Sequence, residues 1–176
     1  LAPPPLPGNS PRPSPRPAEP GMHRGYSGGS SGVNVVGQMC GTQVGTATSE
    51  DRYCATPVAD TGAIDAQGRL PVRVRVCEDK SYVQPGTLSF GSTREADFAV
   101  YQGSRLVWRW SAGRPPSTSQ PHSYAVDSGE CWTWWTTWRA VDSQGRRLHG
   151  DFVLRAFAYP RELAGKYRTT LVGFTI

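Results

Sequence analysis

Long apolar runs are missing from this chain. No stretch approaches the roughly 18–20 consecutive apolar residues of a membrane-crossing helix, so the sequence as given holds no transmembrane segment. Dense basic runs are missing as well. A net charge of +5 and a pI near 9.3 come almost wholly from scattered arginines such as Arg73, Arg75, Arg109 and Arg139. That spacing reads as solvated strand faces, and no nucleic-acid partner is expected. Catalytic signatures are lacking too: there is no Gly-x-Ser-x-Gly elbow or comparable nucleophile motif. Glu78-Asp79 and the pair Glu95/Asp97 read as solvated acids at turns. His23, His122 and His149 lack the His-x-His or His-x-x-x-His spacing of zinc and copper sites. No cofactor is expected, and a copper-type redox site would require those three histidines to converge in space.

Cysteine is sparse but even in number. Cys40, Cys54, Cys77 and Cys131 include no Cys-x-x-Cys pair, which argues against a zinc knuckle or a thioredoxin-type motif. Two structural disulfides are the simpler account. Of the three possible connectivities, the one taken forward is Cys40–Cys54 as a local loop with Cys77–Cys131 tying two strands. Disulfides need an oxidising compartment. The chain opens at Leu1, with no signal-peptide pattern, and a removed signal sequence would explain both features. The expectation is therefore an extracytoplasmic protein, secreted or held in the cell envelope.

What the chain does hold is short alternating strands. Residues 70–76, 87–90, 97–101, 106–111, 132–138 and 151–158 alternate apolar and polar with period two, placing one face of each in a core. Such runs at near-regular spacing predict an all-β, immunoglobulin-like antiparallel sandwich. Residues 1–37 form an extended Pro/Gly/Ser-rich segment, with residues 1–20 nearly half proline, and read as a spacer. Residues 38–69 read as a disulfide-stapled loop region, and two short apolar pieces, Val33–Val36 just before it and Tyr53–Val58 within it, read as edge strands. Residues 70–176 carry the sandwich, closing on a last strand at 169–176.

Tryptophan supplies the core candidates. Residues 132, 134, 136 and 138 share one face, so Trp134 and Trp138 read as core, as do Trp108 and Trp110. Trp135 points the other way, where an exposed ring can anchor a protein interface or stack on a sugar. The stretch Gly113–His122 is polar and proline-stiffened and joins two strands, a place where scaffolds display function. Arg114, Pro115, Pro116, Ser117 and Trp135 are the candidate binding residues.

From about Leu70 to Ala158 these landmarks resemble the BsuPI domain family of proteinase inhibitors. They are Asp97-Phe98, Gly103, Val107-Trp108-Arg109-Trp110-Ser111, Ser128-Gly129-Glu130, Trp134, Trp138, and Asp142-x-x-Gly145 followed by Gly150-Asp151-Phe152. Ser128 and His149 stand where the family pattern has proline. The resemblance implies an immunoglobulin-like sandwich, and proteinase inhibition as an inherited possibility. Three readings follow. The leading one is a non-catalytic protein-binding module, an accessory subunit of a larger cell-envelope complex held through its N-terminal segment. The second is a secreted proteinase inhibitor using residues 113–122, and the third is the copper-type redox protein.

Overall fold

The computed structural model of the protein describes residues 19, 21–27, 52–79, 82–142, 144–163 and 168–176. The expectations for residues 1–18, for Val33–Val36 and for Cys40 lie outside them. The described residues form ten strands: β1 His23–Ser27, β2 Tyr53–Ala59, β3 Arg69–Glu78, β4 Gly86–Ser92, β5 Ala96–Gln102, β6 Arg105–Arg109, β7 Ser119–Val126, β8 Cys131–Arg139, β9 Asp151–Ala158 and β10 Thr169–Thr175. One four-stranded antiparallel sheet runs β1-β8-β3-β2 and another runs β10-β9-β5-β6, with β4 and β7 as a separate ribbon. This is an all-β sandwich.

Period-two patterning builds it. Along β3, Leu70, Val72, Val74 and Val76 are fully buried while the arginines between them face outward. On the neighbouring β8, Trp132, Trp134 and Trp138 turn inward beside them. Phe152, Leu154, Ala156 and Ala158 of β9 and Phe98 and Val100 of β5 face them from the second sheet. Trp138 meets Phe152 edge-on at 5.4 Å, and Trp108 packs against it at 6.4 Å. Removing a buried ring of this size costs about 3–5 kcal/mol. The ribbon closes the other end of this core: Phe90 meets Trp134 edge-on at 5.8 Å, and Tyr124 lies 4.8 Å from Trp132.

Several details differ from the sequence reading. β1 arises within the segment read as a spacer, whereas β2 is the edge strand expected at Tyr53–Val58. β7 begins at Ser119, so the irregular connection after β6 ends at Thr118 and His122 belongs to a strand. Glu78, Glu95 and Asp97 are not solvated: their exposures are 1%, 8% and 1%. Turn position suggested water, but neighbouring segments supply donors instead: Arg52 to Glu78, Arg24, Tyr124 and Trp134 to Glu95, and Arg109 and Ser111 to Asp97. Cys77 and Cys131 face each other across β3 and β8 and are disulfide-bonded, with Cα atoms 4.0 Å apart. Cys54 sits opposite Cys77 on β2 and is also disulfide-bonded.

Two turns explain two of the four glycines among the landmarks. Gly129, with φ of 72°, turns the chain between β7 and β8, where the Glu130 amide donates to the Asp127 carbonyl at 2.9 Å. Gly145, with φ of 77°, closes a loop in which the Asp142 carboxylate accepts from the Gln144 and Arg146 amides. Both φ values lie in the left-handed region, where a side chain is strained.

Candidate functional site

The connection from β6 to β7 is fastened at both ends. At its start Asp97 accepts from Arg109 Nε at 2.9 Å, from the Ser111 hydroxyl at 2.6 Å and from the Ser111 amide at 3.1 Å. The next two bonds are local turns, from the Ala112 amide to the Arg109 carbonyl and from the Arg114 amide to the Ser111 carbonyl. At its end Thr93 and Thr118 bond reciprocally: the Thr93 amide donates to the Thr118 carbonyl, and the Thr118 amide to the Thr93 hydroxyl. Between these, Arg94 donates to the Pro115 carbonyl at 3.0 Å while also holding Glu19.

Of the four predicted loop residues, the structure separates one from the rest. Arg114 is half-buried, its guanidinium 4.1 Å from the Trp110 ring centre and its Nε donating to the Trp110 carbonyl. It packs so closely on Gly21 that a side chain there would meet its Nη2 at 2.7 Å. Arg114 thus ties the connection to the strand-entry segment. Pro115, Pro116 and Ser117 are exposed. Proline fixes φ and removes an amide donor, so this tip has few conformations to lose on docking.

A second polar cluster lies under the ribbon, and sequence reasoning missed it. The Glu95 carboxylate accepts from Arg24 Nη1 at 2.8 Å, from the Tyr124 hydroxyl at 2.6 Å and from the Trp134 indole at 2.6 Å. His122 Nε2 stands 2.8 Å away, its Nδ1 faces the Gln120 carbonyl, and its ring stacks on Phe90. Burial alone would raise the Glu95 pKa, but the hydrogen bonds from Tyr124, Trp134 and Arg24 with the Arg24 charge outweigh it and hold the carboxyl below its ordinary value. Burial and then the bond to Glu95 push Tyr124 far up, keeping it a neutral donor. Arg24 is almost wholly buried and lies over the Tyr124 ring at 4.5 Å. These residues form a buried ionic centre that joins β1, β7 and β8 to the start of β5.

The remaining predicted residues fall apart from the loop. Trp135 stands on the outer face of the β1-β8-β3-β2 sheet, 37% exposed and stacked on His23 at 5.5 Å. The three histidines do not share a site: His23 is on Trp135, His122 on Glu95, and the His149 carbonyl accepts from Gln102. Among the described residues, no three histidine, cysteine, aspartate or glutamate side chains gather to hold a metal. The copper-type convergence is corrected accordingly, because β1, β7 and the turn before β9 place these residues on different surfaces. Among those residues, too, no helix is long and apolar enough to cross a membrane.

Compared with known protein families, residues 65–162, more than half of the chain, match BsuPI, described as an intracellular proteinase inhibitor. The chain belongs to the BsuPI family. No curated protein matches it significantly. The BsuPI region runs from the turn before β3 to just past β9, leaving β1, β2 and β10 outside it. It contains both fastenings of the 110–118 connection, and Glu95 but not Arg24.

The family also corrects the expected location. BsuPI proteins are described as intracellular, which points to the cytoplasm rather than to the extracytoplasmic, secreted or cell-envelope placement read from the cysteines. That placement rested on the cysteine count and on the absence of an initiating methionine. The Cys77–Cys131 bond weighs weakly the other way, since it joins two residues that the strand register already sets side by side. Nothing in the family description supports the accessory role in an envelope complex.

Proposed function

We propose that this chain is a proteinase-binding and proteinase-inhibiting module that presents Pro115–Ser117 to its target. The observation that carries this reading is the double fastening of the tip, by Asp97 and Arg114 on one side and by Arg94 and Thr93 on the other. An inhibitor must enter a cleft as an extended segment without losing much conformational freedom, and a loop already held in one form meets that need. The family description agrees with this chemistry.

Titration of a panel of serine proteinases with the purified full chain tests it. Stoichiometric loss of activity in at least one of them is expected. Replacing Pro115 and Pro116 together by glycine should weaken inhibition about tenfold, as loop freedom returns, with the unfolding midpoint nearly unchanged. Absence of inhibition across the panel at micromolar protein would end this reading.

A further inference from the structure

The outer face of the β1-β8-β3-β2 sheet has a composition that the inhibitory loop does not use. Strand alternation turns Arg69, Arg73 and Arg75 outward from β3, and Trp135 and Arg139 outward from β8. Register sets Arg73 beside Trp135, Arg75 beside Thr133 and Arg69 beside Arg139. No aspartate or glutamate points outward from these four strands among the described residues. Acids occur only at the margin, where Asp65 holds Arg69 at 2.6 Å and Asp60 stands 3.8 Å from Arg73. Arg75 has the Ser27 hydroxyl at 3.5 Å. Burial, and then the charge of Arg73, lower the pKa of Arg75, so two cations lie side by side in a setting that an anion would relieve.

The ring opposite Arg73 is set in advance. Trp135 is stacked on His23 with 21° between the planes and lies across Gly25. A Cβ at Gly25 would stand 3.1 Å from the indole, so glycine is what lets the ring lie down. An exposed, fixed tryptophan set between an arginine and a histidine has the composition of an interface hot spot. His23 and Gly25 come from β1, outside the region matched to BsuPI.

We infer that this face docks an extended, acidic segment of a protein partner. Residues two apart on a strand are separated by about 6.4–6.8 Å, so Arg73 and Arg75 match carboxylates at alternate positions of an extended peptide. Guanidinium groups take carboxylates in bidentate fashion, and the indole opposite Arg73 covers the apolar stem of the acidic side chain held there. A nucleic acid fits less well, because one exposed ring gives no series of platforms on which successive bases stack. The surface is separate from the inhibitory tip, and none of residues 110–118 belongs to it.

Fluorescence anisotropy with the full chain tests the inference, using a labelled peptide alternating glutamate with threonine, its lysine counterpart, and an oligothymidylate of equal charge. The acidic peptide is expected to bind and the lysine peptide not to. R73E/R75E should weaken binding by about tenfold or more, and the charge-matched R105E/R147E on other surfaces by less than about twofold. Trp135→Thr keeps every charge and should cost about fivefold. R73K/R75K, which keeps both charge and fold, should cost about threefold through lost bidentate geometry. No binding of the acidic peptide, equal losses from the two glutamate doubles, or tighter binding of oligothymidylate than of peptide would each overturn it.

Discussion

Glu95 and Asp97 stand two positions apart at the entry to β5, both buried, yet they collect their donors from different distances along the chain. Asp97 takes Arg109, Ser111 and the amide of Phe98, none more than 14 residues away. Glu95 takes Arg24 from 71 residues away, and His122, Tyr124 and Trp134 from 27, 29 and 39. Their settings differ as well. Arg109 is 41% exposed at its side chain, whereas Arg24 is 2% exposed. The first carboxylate fastens one hairpin and the loop that follows it. The second fastens the two sheets and the ribbon to one another.

The two should therefore respond differently to loss. Glu95→Ala leaves Arg24 buried without its counter-charge and strands the Tyr124 and Trp134 donors, and should cost about 3–5 kcal/mol in urea unfolding. A cost as small as that of a surface pair would show that water can reach Arg24. Asp97→Ala should cost about 2–3 kcal/mol, since Arg109 can turn to solvent while the buried Phe98 amide cannot. It should also loosen the 110–118 connection, and so weaken the proposed proteinase inhibition more than Glu95→Gln does.

Acid sharpens the contrast further. A carboxyl held below its ordinary value of 4.5 stabilises the fold fully above that pH, and the contribution disappears as pH falls through the folded value. The urea midpoint of the wild-type chain should therefore drop on acidification below about pH 4.5, and Glu95→Gln should flatten that drop. An unchanged profile in Glu95→Gln would assign the acid sensitivity elsewhere. The smallest effect expected is from Gly25→Ala: under about 1 kcal/mol of stability, but a Trp135 ring lifted from β1, read as increased quenching of tryptophan fluorescence by acrylamide.

The same contrast explains what was legible in the sequence. Alternation along β3, β8 and β9 follows from local sequence, and the inward Trp134 and Trp138 are where period two puts them. Asp97 lies in a run of landmarks with Trp110 and Ser111, so its neighbourhood was visible though its burial was not. Glu95 offered no such signal. Its partners are single residues on strands whose adjacency depends on sheet order, and an acid beside a turn looks solvated until a distant arginine arrives. β1 and β7 were missed for a related reason. His23–Ser27 is short and glycine-bearing, and Ser119–Val126 carries a proline and little apolar alternation, so pairing with longer neighbours makes them strands.

The Arg24–Glu95 contact also works as an alignment pin. Sliding β1 along β8 by one residue would swing the guanidinium to the solvent side and bring a neutral glycine or an imidazole above the carboxylate. A short strand with little apolar grip thereby acquires a single allowed placement. A gene fragment cut at the borders of the BsuPI match would encode the socket without its pin, and is expected to unfold at lower urea than the full chain.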